Sequence, residues 1–259
     1  MKKDDLLVKR EEKVIYLTIN GEKRLNVLNR SILGKLGSVF DDIEKDDELR
    51  IAVITGAGSK AFAAGADVRE IKNAGTQRTA LIKEGQDVLK KIMYSSKVTI
   101  AAINGYALGG GLELAMACDI RIAVKNAKLG LPEVTLGVMP GYGGTQLLPR
   151  LVGWGMAKYL LLTGLTLTAD QAYRIGLVQK VCRKEKLRDE VEKIVQRLLK
   201  VGPLALKGCK EAINKGLDVP LHEALDLESK IYDRVAKSRD AEEGLTSFLE
   251  KRTPRFRGV

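Results

Sequence analysis

Apolar positions along the chain fall into two kinds of run. Val14-Ile15-Tyr16-Leu17-Thr18-Ile19 is β-branched and aromatic and stops at Asn20-Gly21, which predicts a strand and a turn. Asn29 or Ser31 then caps a predicted helix reaching about Lys45, with Ile32, Leu36, Val39, Phe40 and Ile43 on one stripe. Ile51-Ala52-Val53-Ile54-Thr55 is a wholly apolar strand ending at Gly56. A second such strand, Val98-Thr99-Ile100-Ala101-Ala102-Ile103, follows a helix that ends near Tyr94. Strands without polar alternation need cover on both faces, and alternating helices supply it. The fold class is therefore α/β.

The last third changes character. Thr168-Ala169-Asp170-Gln171 is a capping box opening a helix that ends at Gly176, and Val178–Val181 reads as the final strand. Val191–Leu199, Leu204–Asn214, Leu221–Val235 and Ala241–Lys251 then read as helices. A boundary at Val201-Gly202-Pro203 divides an α/β core, residues 1–200, from a helical region, residues 201–259. The latter is small for an independent domain, so it packs on the core or on another subunit. No repeat, low-complexity tract or flexible linker is visible.

Composition narrows the chemistry. The 259 residues carry 44 basic and 33 acidic side chains, a net charge of +11 that suits anionic partners: nucleic acid, acidic lipid or a phosphate-bearing ligand. His222 is the single histidine, so a multi-histidine metal site is excluded and a Ser-His-Asp triad would rest on that residue alone. Three scattered cysteines, Cys118, Cys182 and Cys209, argue against a disulfide framework and a zinc cluster and for a reducing compartment. Met1-Lys2-Lys3-Asp4-Asp5 reads as neither a secretory nor an organelle leader. The apolar stretch Val98–Ile120 contains Asn104, Glu113 and Asp119 and fails as a membrane span. The expected location is cytoplasmic.

Three segments could carry chemistry. In the first, a buried strand runs into Gly109-Gly110-Gly111 and then a helical pattern containing Glu113. Glycines at a helix mouth leave outward N–H groups and a positive dipole end, an oxyanion pocket in the making. Close helix packing, with Glu113 an ordinary first-turn acid, is the plainer reading of this segment alone. The second, Ala61-Phe62-Ala63-Ala64-Gly65-Ala66-Asp67, has side chains small enough for its backbone to reach a ligand; equally, Asp67 is a helix cap in a tight loop. In the third, Gly130-Leu131-Pro132-Glu133-Val134, Pro132 fixes the backbone beside Glu133. A rigid Glu in apolar surroundings can serve as an acid; a solvated surface glutamate is the alternative. Neither a phosphate-binding G-x-x-x-x-G-K-[ST] loop nor a complete dinucleotide fingerprint occurs.

Taken in order, AFAAGAD, GYALGGGLELAMACDI and GLPEVTLGVMPGYGGTQ resemble the crotonase (enoyl-CoA hydratase/isomerase) superfamily, with similarity extending over nearly the whole chain. The resemblance implies a spiral of ββα units, a CoA-ester site in residues 1–200, and a C-terminal helical region used to form trimers that pair into hexamers. It implies an oxyanion hole of the Ala66 and Gly110 N–H groups, with Glu113 as the base orienting water and Glu133 as proton donor to C2. Ala64, Gly65, Asp67, Gly109, Pro132, Gly141 and Tyr142 would contact the acyl-CoA substrate. CoA then arrives as part of the substrate, with no permanently bound cofactor. The implied activity is hydration of a 2-enoyl-CoA in fatty-acid or short-chain acyl-CoA metabolism. Alternatives are enoyl-CoA isomerisation or hydration of a branched or carboxylated enoyl-CoA. Tyr142 stands where a smaller residue is common, which puts chain length in question, and Asn20-Gly21-Glu22-Lys23 lacks a proline frequent at that turn. A remote alternative, RNA binding through the basic surplus, lacks a basic stripe with interleaved aromatics.

Overall fold

The computed structural model describes residues 5–259. Residues 1–4, which carry most of the leader reading, lie outside the described residues. One compact unit comprises the chain through Ser95 together with Thr99–Val191; Ser96–Val98 and Glu192–Val259 form the other. The division thus falls inside a helix, earlier than the 200/201 step expected from sequence, because Val201-Gly202-Pro203 only separates two helices.

In the first unit β1 (Leu6–Glu11) and β2 (Val14–Ile19) make an antiparallel hairpin, and α1 (Arg30–Lys45) follows. Successive turns then repeat one plan: β3 (Ile51–Gly56), β4 (Ala61–Ala63), α2 (Val68–Asn73) and α3 (Arg78–Met93); β5 (Val98–Ile103), β6 (Tyr106–Leu108) and α4 (Gly110–Ala117). Next come β7 (Ile120–Val124), β8 (Lys128–Gly130), the 3-10 turn Pro132–Leu136, α5 (Gly144–Val152) and α6 (Trp154–Thr163), and finally β9 (Thr166–Thr168), α7 (Ala169–Arg174) and β10 (Lys180–Cys182). The longer strands form a six-stranded sheet ordered β1-β2-β3-β5-β7-β10, and the three-residue strands a second sheet ordered β4-β6-β8-β9. Within the second sheet β4, β6 and β8 are parallel. This is the expected ββα spiral.

Local chemistry explains the elements. Asn29 Oδ1 accepts the Ile32 N–H at 2.9 Å, starting α1, whose Ile32, Leu33, Leu36, Phe40 and Ile43 are buried. Val39 is only half-buried; Gly37 is buried instead, where an added β-carbon would meet Val88 at 3.2 Å. Every residue of β5 is buried, as its apolar run requires. The Thr168–Gln171 capping box forms as predicted. The last strand lies at 180–182 and pairs in parallel with β7, two residues later than its apolar run indicated. The C-terminal helices are α8 (Leu187–Leu199), α9 (Pro203–Gly216), α10 (Leu221–Ala236) and α11 (Arg239–Leu249), the last capped by Ser238.

Two buried asparagines brace the loops around β4. Asn26, fully buried at φ 56°, donates to the Ala57 and Ala61 carbonyls at 3.0 and 2.7 Å and accepts the Gly21 N–H. Asn104 donates to the Gly56 and Gly58 carbonyls and accepts the Gly56 N–H. Truncating Asn26 removes the partner of the buried Ala61 carbonyl and of the part-buried Ala57 carbonyl and Gly21 N–H. Asn26→Ala should therefore lower unfolding free energy by about 2–3 kcal/mol, read as an earlier urea midpoint at unchanged slope.

Candidate active site

The segment after β4 is threaded against Leu25 and Leu28. Ala64 N–H donates to the Leu25 carbonyl, Leu28 N–H to the Gly65 carbonyl, and Asp67 N–H to the Leu28 carbonyl. A parallel bridge between Leu28 and Ala66 uses the groups flanking Ala66, so the Ala66 N–H itself has no acceptor among the described residues. Gly65 holds φ 106°, a conformation that favours glycine. The Asp67 carboxylate caps α2 by accepting the Arg69 N–H and lies 3.5 Å from the Arg24 guanidinium. That is the capping role weighed from sequence, and it commits the Asp67 side chain to the scaffold.

Beyond β6, the three glycines meet three different neighbours. Gly109, at φ 51° and ψ −130°, donates to the Gly130 carbonyl, and a β-carbon on it would lie 2.9 Å from the Glu133 carboxylate. A β-carbon on Gly111 would lie 2.0 Å from the Ala63 carbonyl oxygen. One on Gly110 would sit 3.0 Å from the Tyr142 ring and 3.2 Å from the Ala66 nitrogen. Gly110 opens α4, where N–H groups lack helical partners, and its N–H has no acceptor among the described residues. Two unused amides therefore stand side by side.

Glu113 lies in the first turn of α4 with 1% of its surface exposed. Its Oε1 accepts the Tyr142 N–H at 2.8 Å and the Gly144 N–H at 2.7 Å, Gly144 being the first residue of α5. Burial pushes this carboxyl up to about 7, helped by the nearby Glu133 charge and opposed by the Gly144, Tyr142 and Gly143 amides. Glu133 sits in the 3-10 turn that Pro132 starts. Its Oε2 is buried without a hydrogen-bond partner among the described residues, and burial raises its carboxyl as well. The solvated-surface reading of Glu133 is thereby overturned. Tyr142 is buried, its ring lying where a β-carbon on Gly85 would approach to 2.3 Å, and burial pushes its hydroxyl up.

The arrangement brings Gly65, Ala66, Gly109, Gly110, Glu113, Glu133, Pro132, Gly141 and Tyr142 into one neighbourhood. Sequence reading missed Gly144, which supplies a donor to Glu113, and Asn26 and Asn104, which hold the β4 loop. Gly143-Gly144 ahead of an amphipathic run was the available signal for a second helix mouth. Two free donors beside two carboxyls of raised proton affinity can stabilise a developing oxyanion while moving protons.

The sequence profile of the enoyl-CoA hydratase/isomerase family matches residues 9–259. The chain belongs to that family. Crotonyl-CoA hydratase of Syntrophomonas wolfei is 44% identical over 254 residues, covering 98% of each chain. Short-chain-enoyl-CoA hydratase of Clostridium acetobutylicum is 42% identical over 255 residues, covering 97% of each. The crystal structure of enoyl-CoA hydratase from Bacillus anthracis superposes with a TM-score of 0.95 at 39% identity, covering 99% of this chain and 100% of that one. Membership of the enoyl-CoA hydratase/isomerase family and the fold thus agree over almost the full length.

The elevated Glu113 carboxyl has a consequence for stability. Its folded-state affinity exceeds the ordinary value of 4.5, so the folded form gains below that pH and loses the gain as pH rises through about 7. Glutamine cannot ionise. The melting temperature of Glu113→Gln minus that of the parent should accordingly become more positive from pH 4.5 to 8; a flat difference would show an unperturbed carboxyl.

Proposed function

We propose that this chain is an enoyl-CoA hydratase, adding water reversibly across the 2,3 double bond of a short-chain 2-enoyl-CoA to give the 3-hydroxyacyl-CoA. The supporting observation is the meeting of two amides without acceptors among the described residues, Ala66 and Gly110, with buried Glu113 and half-buried Glu133, whose Oε2 is shielded from solvent. The thioester carbonyl oxygen takes the two N–H donors. Water oxygen bonds to C3 as Glu113 takes one of its protons, and the π electrons move onto the thioester oxygen. Glu133 then gives a proton to C2 as the carbonyl re-forms, and dehydration reverses these roles. One donor to such an oxyanion is typically worth about 3–4 kcal/mol. The pair needs unlike protonation states: repulsion between the two charges is relieved when one of them holds a proton, the two amides support charge on Glu113, and the buried Glu133 Oε2 has no hydrogen-bond partner among the described residues.

Short chains are favoured because relatives of about this identity are named for crotonyl-CoA and short-chain enoyl-CoA hydration, and because the Tyr142 ring fills space beside Gly110. Isomerisation, or hydration of a branched or carboxylated enoyl-CoA, remains the second reading, since the matched family includes isomerases. CoA enters as part of the substrate. Exposed Leu221, Tyr232, Phe248 and Leu249 on the helical unit support self-association to a trimer or hexamer. Among the described residues no helix is long and apolar enough to cross a membrane, and three free cysteines support a cytoplasmic setting.

Crotonyl-CoA should lose its conjugated enoyl-thioester absorbance on incubation with the protein. Glu113→Gln and Glu133→Gln should each lower kcat by about 10²–10⁴-fold while CoA-ester binding persists. Near-parental turnover in either variant would remove that residue from the mechanism, and an unchanged absorbance at high enzyme concentration would reject crotonyl-CoA as substrate.

A further inference from the structure

The segment Pro140–Gly144 carries two of the donors on Glu113, yet little in its own sequence holds it in place. Gly141 and Gly143 lack side chains, and Gly143 adopts φ 116°. Rotation about glycine torsions is sterically cheap, so the direction of the N–H groups must be set from outside. The outside contact is one face of α3. A β-carbon on Gly141 would meet Ile82 at 3.0 Å, the Tyr142 ring rests on Gly85, and half-buried Gln86 donates its Nε2 hydrogen to the Gly141 carbonyl at 2.8 Å. Of these three contacts, the hydrogen bond is the directional one.

The Gly141 carbonyl and the Tyr142 N–H belong to one trans peptide group, whose C=O and N–H point in opposite directions. Gln86 grips one end of that plane and Glu113 Oε1 the other. We propose that Gln86 is a positioning residue: it fixes the Gly141–Tyr142 peptide plane so that the Tyr142 N–H stays aimed at the Glu113 carboxylate. A donor on the carbonyl also polarises the peptide and strengthens the N–H bond at its far end. Gln86 therefore acts on the base through a backbone group. The catalytic meaning of this chain rests on Glu113 being the base of the proposed hydration, whereas the chain of hydrogen bonds does not.

Two variants of similar size test it. Gln86→Met removes the donor, and Gln86→Glu sets an acceptor against the Gly141 carbonyl. In both, a weakened amide contact favours the protonated form of Glu113, because hydrogen bonds to a carboxylate hold its proton affinity down. With crotonyl-CoA, kcat should fall about tenfold with KM within about twofold, and the acidic limb of kcat/KM should move up by about 0.5–1 pH unit. The infrared carbonyl band of protonated Glu113 in the free protein, assigned by its loss in Glu113→Gln, should titrate upward by the same interval. A limb and band that stay in place would overturn the proposal even if kcat falls, since a merely structural loss leaves titration unmoved. Should the parent fail to hydrate crotonyl-CoA, that substrate is rejected, and the infrared titration alone still decides the role of Gln86.

Discussion

Everything at this site depends on keeping a carboxylate out of water without neutralising it. Burial alone would drive Glu113 to hold its proton through neutral pH. Two peptide N–H groups on one oxygen oppose that, and one of them is the first amide of α5. The outcome is a compromise near neutrality, where a group can both take and return a proton. Such a balance is sensitive to small displacements of the backbone.

Crowding enforces the geometry. The first turn of α4 approaches the Ala63 carbonyl, the Tyr142 ring and the Glu133 carboxylate so closely that glycine stands at all three contacts. The amides beside them stay unbonded because the surrounding ladder is satisfied by their neighbours: Gly65 and Asp67 complete the bridge to Leu28, and Gly109 donates to Gly130. Unsatisfied donors and a half-stabilised carboxyl pair work against folding, and the burial of strands such as β3, β4 and β5 compensates.

Much of this was readable from the residues, and the remainder was not for physical reasons. Long elements with strong periodicity, such as α1 and the wholly apolar β3 and β5, declared themselves. The strands β4, β6, β8 and β9 did not, since three residues give no period to detect. Glu113 and Glu133 stood out as charges in apolar company, yet each alone suited an ordinary role; their proximity arises from tertiary packing. Asn26 was invisible because nothing in its neighbourhood marks a left-handed, fully buried amide. Helix ends shifted by a few residues where Pro203 and Ser238 set the first turn in place of the first apolar side chain.

The three parallel short strands have one more implication. β4 runs out just before Ala66, β6 just before Gly110 and Glu113, and β8 just before Glu133. Each lap of the spiral thus delivers a separate group to a shared workbench: an amide from one, an amide and a carboxyl from the next, a second carboxyl from the last. A lap can be retooled at its tip while the others keep their groups in place, so new reactions can arise by editing one tip without rebuilding the scaffold.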